Sequence, residues 1–477
     1  MHARYSRAAG GLLALAAMLV LIEPVVLGGP LDARRGGWLS IVVQQGPFVL
    51  AWGAALCAAA ALGWLPRMRA PRITRDDLLR WATRGVPVAD ARAVAVFRIV
   101  FAAGLLHVVR VHRIDGYPTL EAATLGAIAL FGIGLVTRPA FVAATAGVWA
   151  WMFVWTRQFG SHPVSALVIA LPCLWPARWS DAWSVDALFR QRPAGPRSTA
   201  YGFAIWMPRL VLGVALCAAA VAKMTTPEWI ANGTVKFAFV ADYHRASVPW
   251  GLWIATQPAL AVTASAAAIA IELLALTAAF SRTVAYRLVV AALVASLLAG
   301  FFLLQGELWR GWWLLLAALL PWERLSRRDA LVEAAPRLTR AQWAAAAALV
   351  VAQAVASALG LEIRPALSAY DMYSTTFDST AAFDRANPML EYRFEAETGD
   401  GRWANVTDCF DRPASPDIAA AWGADTLALR RSLSTCDQEV PSSVQRLRLF
   451  ESLRAFDWQT GRFWWKYRDR ERWTVPI

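Results

Sequence analysis

Lys223 closes a run of hydrocarbon, LVLGVALCAAAVAKM, in a chain whose other basic residues are almost all arginine; of 47 lysines and arginines, only Lys223, Lys236 and Lys466 are lysine. An ammonium pressed against an apolar helix loses its hydration, which favours the free amine, a usable base near neutrality. Ionisable groups inside apolar runs are costly, so each is a candidate for function. By that criterion the candidates are Glu23, Arg98, His107, Arg209, Lys223 and Glu272. Glu272 is the hardest to explain away, because it stands deep in VTASAAAIAIELLALTAAF (262–280) and requires a charged partner. Arg98, Arg209 or Lys223 can supply it. Plainer readings exist for each. Glu23 adjoins Pro24, Arg209 and Lys223 can snorkel to opposite interfaces, and Glu272 can sit in a structural ion pair. His162, in RQFGSHPVSALVIALPCLW, stands where the chain re-enters an apolar run. Its imidazole suits proton transfer near neutrality, or it simply caps an interface. An isolated charge at depth costs about 2.5–3.5 kcal/mol, so opposite charges should find one another. Lys223, His162 and Glu272 are therefore expected to converge in one cavity in the outer half of the membrane region, with Arg98 and Arg209 nearby.

The elements that must hold these residues are membrane helices. The chain has 477 residues, 58% of them hydrophobic, and 25 tryptophans, a residue that concentrates at membrane interfaces. Apolar runs at 9–28, 38–64, 93–110, 121–137, 139–156, 164–177, 203–223, 257–280, 287–304, 309–321 and 342–360 predict an all-α polytopic bundle of about eleven spans. The first run lacks a clean cleavage site and reads as a retained helix. With the N-terminus inside, the inner loops hold 21 lysines and arginines against 8 in the outer ones. This asymmetry places the N-terminus in the cytoplasm. An odd number of spans then puts the C-terminus outside the cell membrane. PRMRAPRITRDDLLRWATRG (66–85), with Thr74 as an N-cap, and ERLSRRDALVEAAPRLTR (323–340) are the main basic loops. The expected organisation is an N-terminal hairpin (1–64), a basic loop (65–92), a transmembrane core (93–321), a loop and last helix (322–360), and an outer domain (361–477).

From Leu361 onward there are 15 basic and 18 acidic residues, so the net charge of +13 belongs to the membrane part. No basic patch marks a soluble domain, and nucleic acid is not an expected partner. LEYRFEAETGDGRWANV (390–406) and RLRLFESLRAFDWQTGRFWWKYRDRERWTV (446–475) alternate around glycine turns as hairpins do. SPDIAAAWGADTLALRRSLS (415–434) between them has helical spacing, which predicts a small α+β domain. Cys57, Cys173 and Cys217 fall in apolar runs, whereas Cys409 and Cys436 share the outer domain and are expected to pair. No CxxC or histidine–cysteine spacing suggests a metal site.

AVFRIVFAAGLL (95–106), SHPVSALVIALPCLW followed by DAWSVDALF (161–189), PRLVLGVALCAAAVAKMTTPEW (208–229) and Glu272 occur in that order. Together they resemble the horizontally transferred transmembrane domain, whose best-known members are the vitamin K-dependent γ-glutamyl carboxylases. The resemblance covers roughly residues 70 to 320. It rests most on Trp183, Ser184 and Asp186 of WSVDAL and on the spacing from Arg209 through Lys223 to Trp229. It implies that Lys223 deprotonates a reduced quinone of the vitamin K or menaquinone type, and that His162 assists. Oxygenation would then yield a base strong enough to take a proton from a secreted peptide, with carbon dioxide adding to the carbanion. Two features depart from the carboxylases. Leu212 to Ala222 is aliphatic or small where they carry aromatic and amide side chains, and their large lumenal region is replaced by about a hundred residues. Carboxylation of a clotting-type substrate is therefore not expected.

Two function classes remain. One is a quinone-assisted oxidase or carboxylase acting on a secreted peptide or a lipid. The other is a non-enzymatic maturation or immunity partner of an exported peptide, or a small transporter. Transport is the less favoured, because neither inverted repeats nor paired broken helices are visible.

Overall fold

The computed structural model describes residues 84–477 except 113, 115–116, 160–161, 191–194, 227, 328–330, 333–337, 361–375, 411–422, 435, 437–443 and 477. The chain divides into two compact units, Met1–Arg75 and Asp76–Ile477. The first two expected spans, Glu23, Thr74 and Cys57 lie outside the described residues.

Helix α1 (Ala91–Val111) starts where the Asp90 carboxylate accepts from the Ala93 amide. It is followed by α2 (Pro118–Ile133), α3 (Thr137–Phe159), α4 (His162–Cys173) and the short α5 (Val185–Arg190). Helix α6 (Thr199–Met224), N-capped by Ser198, is the hub. It packs against α1, α4 and the later helices α10, α12 and α13, and is buried nearly all round. Three short helices follow: α7 (Glu228–Ala231), α8 (Val235–Ala241) and α9 (Trp250–Ala255). Then come α10 (Pro258–Phe280), α11 (Val284–Gln305), α12 (Arg310–Leu316) and α13 (Arg340–Leu359). Thr339 and Gln342 cap α13 reciprocally.

Six of these helices are long and apolar enough to cross a membrane, namely α1, α3, α6, α10, α11 and α13, and the protein is membrane-embedded. The expected spans 121–137, 164–177 and 309–321 take another form. Helix α2 has 16 residues, about 24 Å, against a hydrocarbon core of about 30 Å. Helix α4 is shorter, and Val164 to Leu171 is buried on every side. Helix α12 ends in a 3-10 turn, Ala317–Leu319, and is also interior. An apolar run hydrophobic on all faces fits a helix in the middle of a bundle as well as one in lipid, which is why composition alone read 164–177 and 309–321 as spans, whereas α2 is mostly exposed and only short.

Beyond α13, α14 (Thr380–Ala386) leads into an antiparallel sheet of order β2–β1–β3–β4. Its strands are β1 (Met389–Thr398), β2 (Trp403–Asn405), β3 (Val444–Asp457) and β4 (Arg462–Pro476). The turns fall where the glycines stand, with Gly401 and Gly461 at positive φ. Phe394, Ala396, Leu447 and Leu449 form the core face, packed with Leu429 and Leu433 of α15 (Thr426–Ser434). Glu451, fully buried, accepts from the Tyr467 hydroxyl and the Arg472 guanidinium. Burial, and then that carboxylate, push the nearby Tyr392 phenol up to about 12. The domain rests on α8 and α9. Phe237, Val240 and Ala255 pack with Phe383 and Phe456, and Tyr243 stacks on Phe463 at 4.0 Å.

Cys409 and Cys436 form a disulfide with Cα atoms 5.0 Å apart. It closes a loop of 27 residues, and a cross-link of that length contributes about 3 kcal/mol in the chain-entropy model. Replacing both cysteines with alanine should therefore make the sheet domain markedly more sensitive to limited proteolysis. Unchanged cleavage kinetics would show that the bridge is dispensable.

Candidate functional site

Helix α6 ends one residue past Lys223, and the chain then turns into α7 instead of continuing straight. Two consequences follow. The amine lies in the last turn of a long helix, where the macrodipole favours a cation. The segment from α7 to α9 covers the first half of α10, with Gly233 against Ala261 and the Val235 amide donating to Ser265 Oγ.

Under that cover the Lys223 ammonium donates to Glu272 Oε1 at 2.6 Å. The two side chains are only 4% and 2% exposed. The surroundings are Ala220, Ala268, Ile269 and Trp229, and the Lys223 nitrogen lies 5.7 Å from the Trp229 ring centroid, within cation–π range. The close approach of α6 and α10 is made possible by Gly213, whose missing Cβ would stand 2.7 Å from Leu276 Cα. Trp206 Nε1 ties the far end of the crossing by donating to the Ala279 carbonyl at 2.8 Å. Glu272 Oε2 is buried with no hydrogen-bond partner among the described residues. A buried carboxylate oxygen left open in this way is an acceptor waiting for a donor.

The expected convergence is therefore realised in part. Lys223, Glu272 and Trp229 meet. His162 opens α4, but its side chain lies outside the described residues. Arg209 does not join them, since it is 14 residues back along α6, about 21 Å. Its Nη2 donates to Glu323 Oε2 and to the Leu320 carbonyl, both at 3.2 Å. Arg287 holds the other oxygen of Glu323. Arg98 is also elsewhere, fully buried and donating to the backbone carbonyls of Trp179 and Trp183. Along α10, Glu272 is 14 residues from Pro258 and eight from Phe280, about 21 and 12 Å, so the pair lies past the middle of that helix. His107 stands on the exposed face of α1.

WSVDAL proves to be a clasp. Asp186 accepts from the Val136 and Thr137 amides at 2.8 Å each and from the Thr137 hydroxyl, satisfying the N-terminus of α3. Ser184 Oγ caps α5 by accepting from the Ala187 amide. Trp183 has a positive φ of 45°, and its carbonyl is one of the two held by Arg98. Gly134, at φ 76°, lets the chain pass, because a Cβ there would lie 2.3 Å from Ser184 Cβ. Gly134→Ala should thus destabilise the protein by about 3 kcal/mol or more, combining left-handed strain with a clash. A thermal unfolding midpoint unchanged from the native chain would refute the clasp.

Sequence reasoning missed Arg287, the first residue of an expected span, and Glu323, the first of a basic loop. The signal available was the unpaired Arg209, which needs an acid somewhere. Among the described residues no group of histidine, cysteine, aspartate and glutamate is arranged to hold a metal. Comparison with protein-family models, curated proteins and solved structures finds no match for the chain.

Proposed function

We propose that this protein is a membrane-embedded enzyme, carboxylase-like or quinol-oxidising, in which Lys223 is the base and Glu272 governs where its proton resides. The observation that carries this reading is the buried, directly bonded Lys223–Glu272 pair with one carboxylate oxygen left open. A proton moving from Lys223 Nζ to Glu272 Oε1 across 2.6 Å converts two charges into a neutral amine and a carboxylic acid. The amine lone pair is then available to take a proton from a weak acid. The alanines and Ile269 keep water from competing for it.

A reduced quinone of the vitamin K or menaquinone type fits these residues. Its hydroxyl is the kind of donor that Glu272 Oε2 lacks. When bound, such a group supplies the hydroxyl proton to be removed and the electrons for reaction with oxygen. The side chains on hand to hold it are Glu272 and Trp229, with Lys223 as base; the family resemblance adds His162 as an assisting group. The acceptor would be a secreted peptide or a lipid. The orientation that goes with this reading is a cell-membrane protein with a cytoplasmic N-terminus and an extracytoplasmic sheet domain.

The test is purification from membranes followed by organic extraction. The proposal expects near-stoichiometric quinone in the extract, and oxygen-dependent consumption of added menaquinol. Absence of both overturns it. A second reading has its own observation, since the pair neutralises itself and is almost inaccessible. In that reading the protein is a non-enzymatic partner of an exported peptide, or a small transporter, and the ion pair only fastens α6 to α10.

A further inference from the structure

We propose that Arg209 and Arg287 form a binding site for the phosphate headgroup of an anionic phospholipid, at the end of the bundle where α6 begins. The cluster has two guanidiniums and one carboxylate, Glu323. Arg209 is fully buried and Arg287 is 1% exposed. A guanidinium does not release its proton in a protein, so the excess positive charge cannot be removed by titration. Backbone oxygens take up part of the hydrogen bonding, with Arg209 Nε on the Ala318 carbonyl and Nη2 on that of Leu320. Arg209 Nη1 and Arg287 Nε remain buried without a partner among the described residues. Two orphaned donors on an uncompensated buried cation call for an anion.

The surroundings specify its class. Exposed Arg84, Arg282, Arg324 and Arg327 stand on nearby segments. Arg282 reaches the Arg84 carbonyl, and the Arg327 amide is tied to Asp90 beside the same 3-10 turn as Glu323. Asp90 itself is occupied in capping α1. Immediately after Arg287, α11 exposes Leu288 and Val289, and Leu320 and Leu325 are exposed beside Glu323. Buried guanidiniums beside an exposed apolar helix face suit an amphiphile with a phosphate head and acyl tails, not a free ion. Basic recesses between membrane helices recognise anionic lipids by this chemistry. The site is separate from Lys223–Glu272 and stands whether or not that pair is catalytic.

The experiment is native mass spectrometry of the full-length protein in neutral detergent, titrated with phosphatidylglycerol or with phosphatidylcholine. Phosphatidylglycerol should be retained in preference to phosphatidylcholine, and Arg287→Gln should weaken its retention about fivefold or more, the worth of one basic contact. Glu323→Gln removes a competitor for the guanidiniums and should retain phosphatidylglycerol as tightly as the native chain or more so. That gives a reading even if Arg287→Gln does not fold. Equal retention of both lipids, weaker retention by Glu323→Gln, or no effect of a folded Arg287→Gln would overturn the proposal. Complete displacement of phosphatidylglycerol by an equal concentration of inorganic phosphate would overturn the lipid assignment in favour of a free-anion site.

Discussion

Replacing Lys223 with arginine is expected to lower oxygen-dependent menaquinol turnover about a hundredfold or more while leaving the protein folded. General-base contributions run to about 10²–10⁴-fold. Arginine keeps the positive charge and can still bond Glu272, so the fastening of α6 to α10 survives. What it cannot do is give up the proton, because the neutral guanidine is inaccessible in a protein. The pair would then be locked in its charged form, with no lone pair to offer. In proteoliposomes, loss of turnover with a thermal midpoint within a few degrees of native identifies a base. Full turnover with arginine would mean that Lys223 is only a counter-ion, in a chain that already uses arginine at nearly every other basic position.

The second large effect is on stability and depends on whether one partner or both are removed. Glu272→Ala strands an ammonium beside Ala220, Ala268 and Ile269, and breaking a buried pair in this way costs about 3–5 kcal/mol. The double variant Lys223→Met with Glu272→Leu replaces both charges by apolar groups of similar size. Such replacements are commonly neutral, or stabilising by about 1–4 kcal/mol. Thermal unfolding in detergent should therefore rank the double variant above the Glu272→Ala single, and near or above the native chain. If the losses add, with the double the least stable of all, the pair is not a closed electrostatic unit and the proton-sharing account fails.

Lys223 and Glu272 were legible because a charge far inside an apolar run has few ways to be satisfied, and opposite signs at depth constrain each other. The hairpins were legible because side chains alternate strictly around Gly401 and Gly461. Cys409 and Cys436 stood in one small domain, away from the apolar runs that hold the other cysteines. The partner of Arg209 was not legible, because Glu323 sits in a short 3-10 turn and looked like part of a solvated basic loop. Nor was the fold of the segment that follows α6. Residues 224–256 have the length of an outer loop, and nothing in their composition separates a loop from three short helices folded onto α10. The motif around Trp183, Ser184 and Asp186 was conspicuous, but its work among the described residues is to cap α3 and α5 and to receive Arg98. A striking spacing can reflect a turn that must be closed as readily as a reaction.

The central claim is that a lipid-borne hydroxylic acid meets the Lys223–Glu272 pair, and photo-cross-linking tests it most directly. A menaquinol analogue bearing a photoreactive ring substituent would be irradiated in native membranes and the adducts mapped by peptide mass spectrometry. The account predicts adducts on the end of α6 and on α7, between Cys217 and Ala231, or on α10 around Glu272, displaced by unlabelled menaquinol. Adducts confined to lipid-facing positions such as Val289 and Val351, indifferent to competitor, would contradict it.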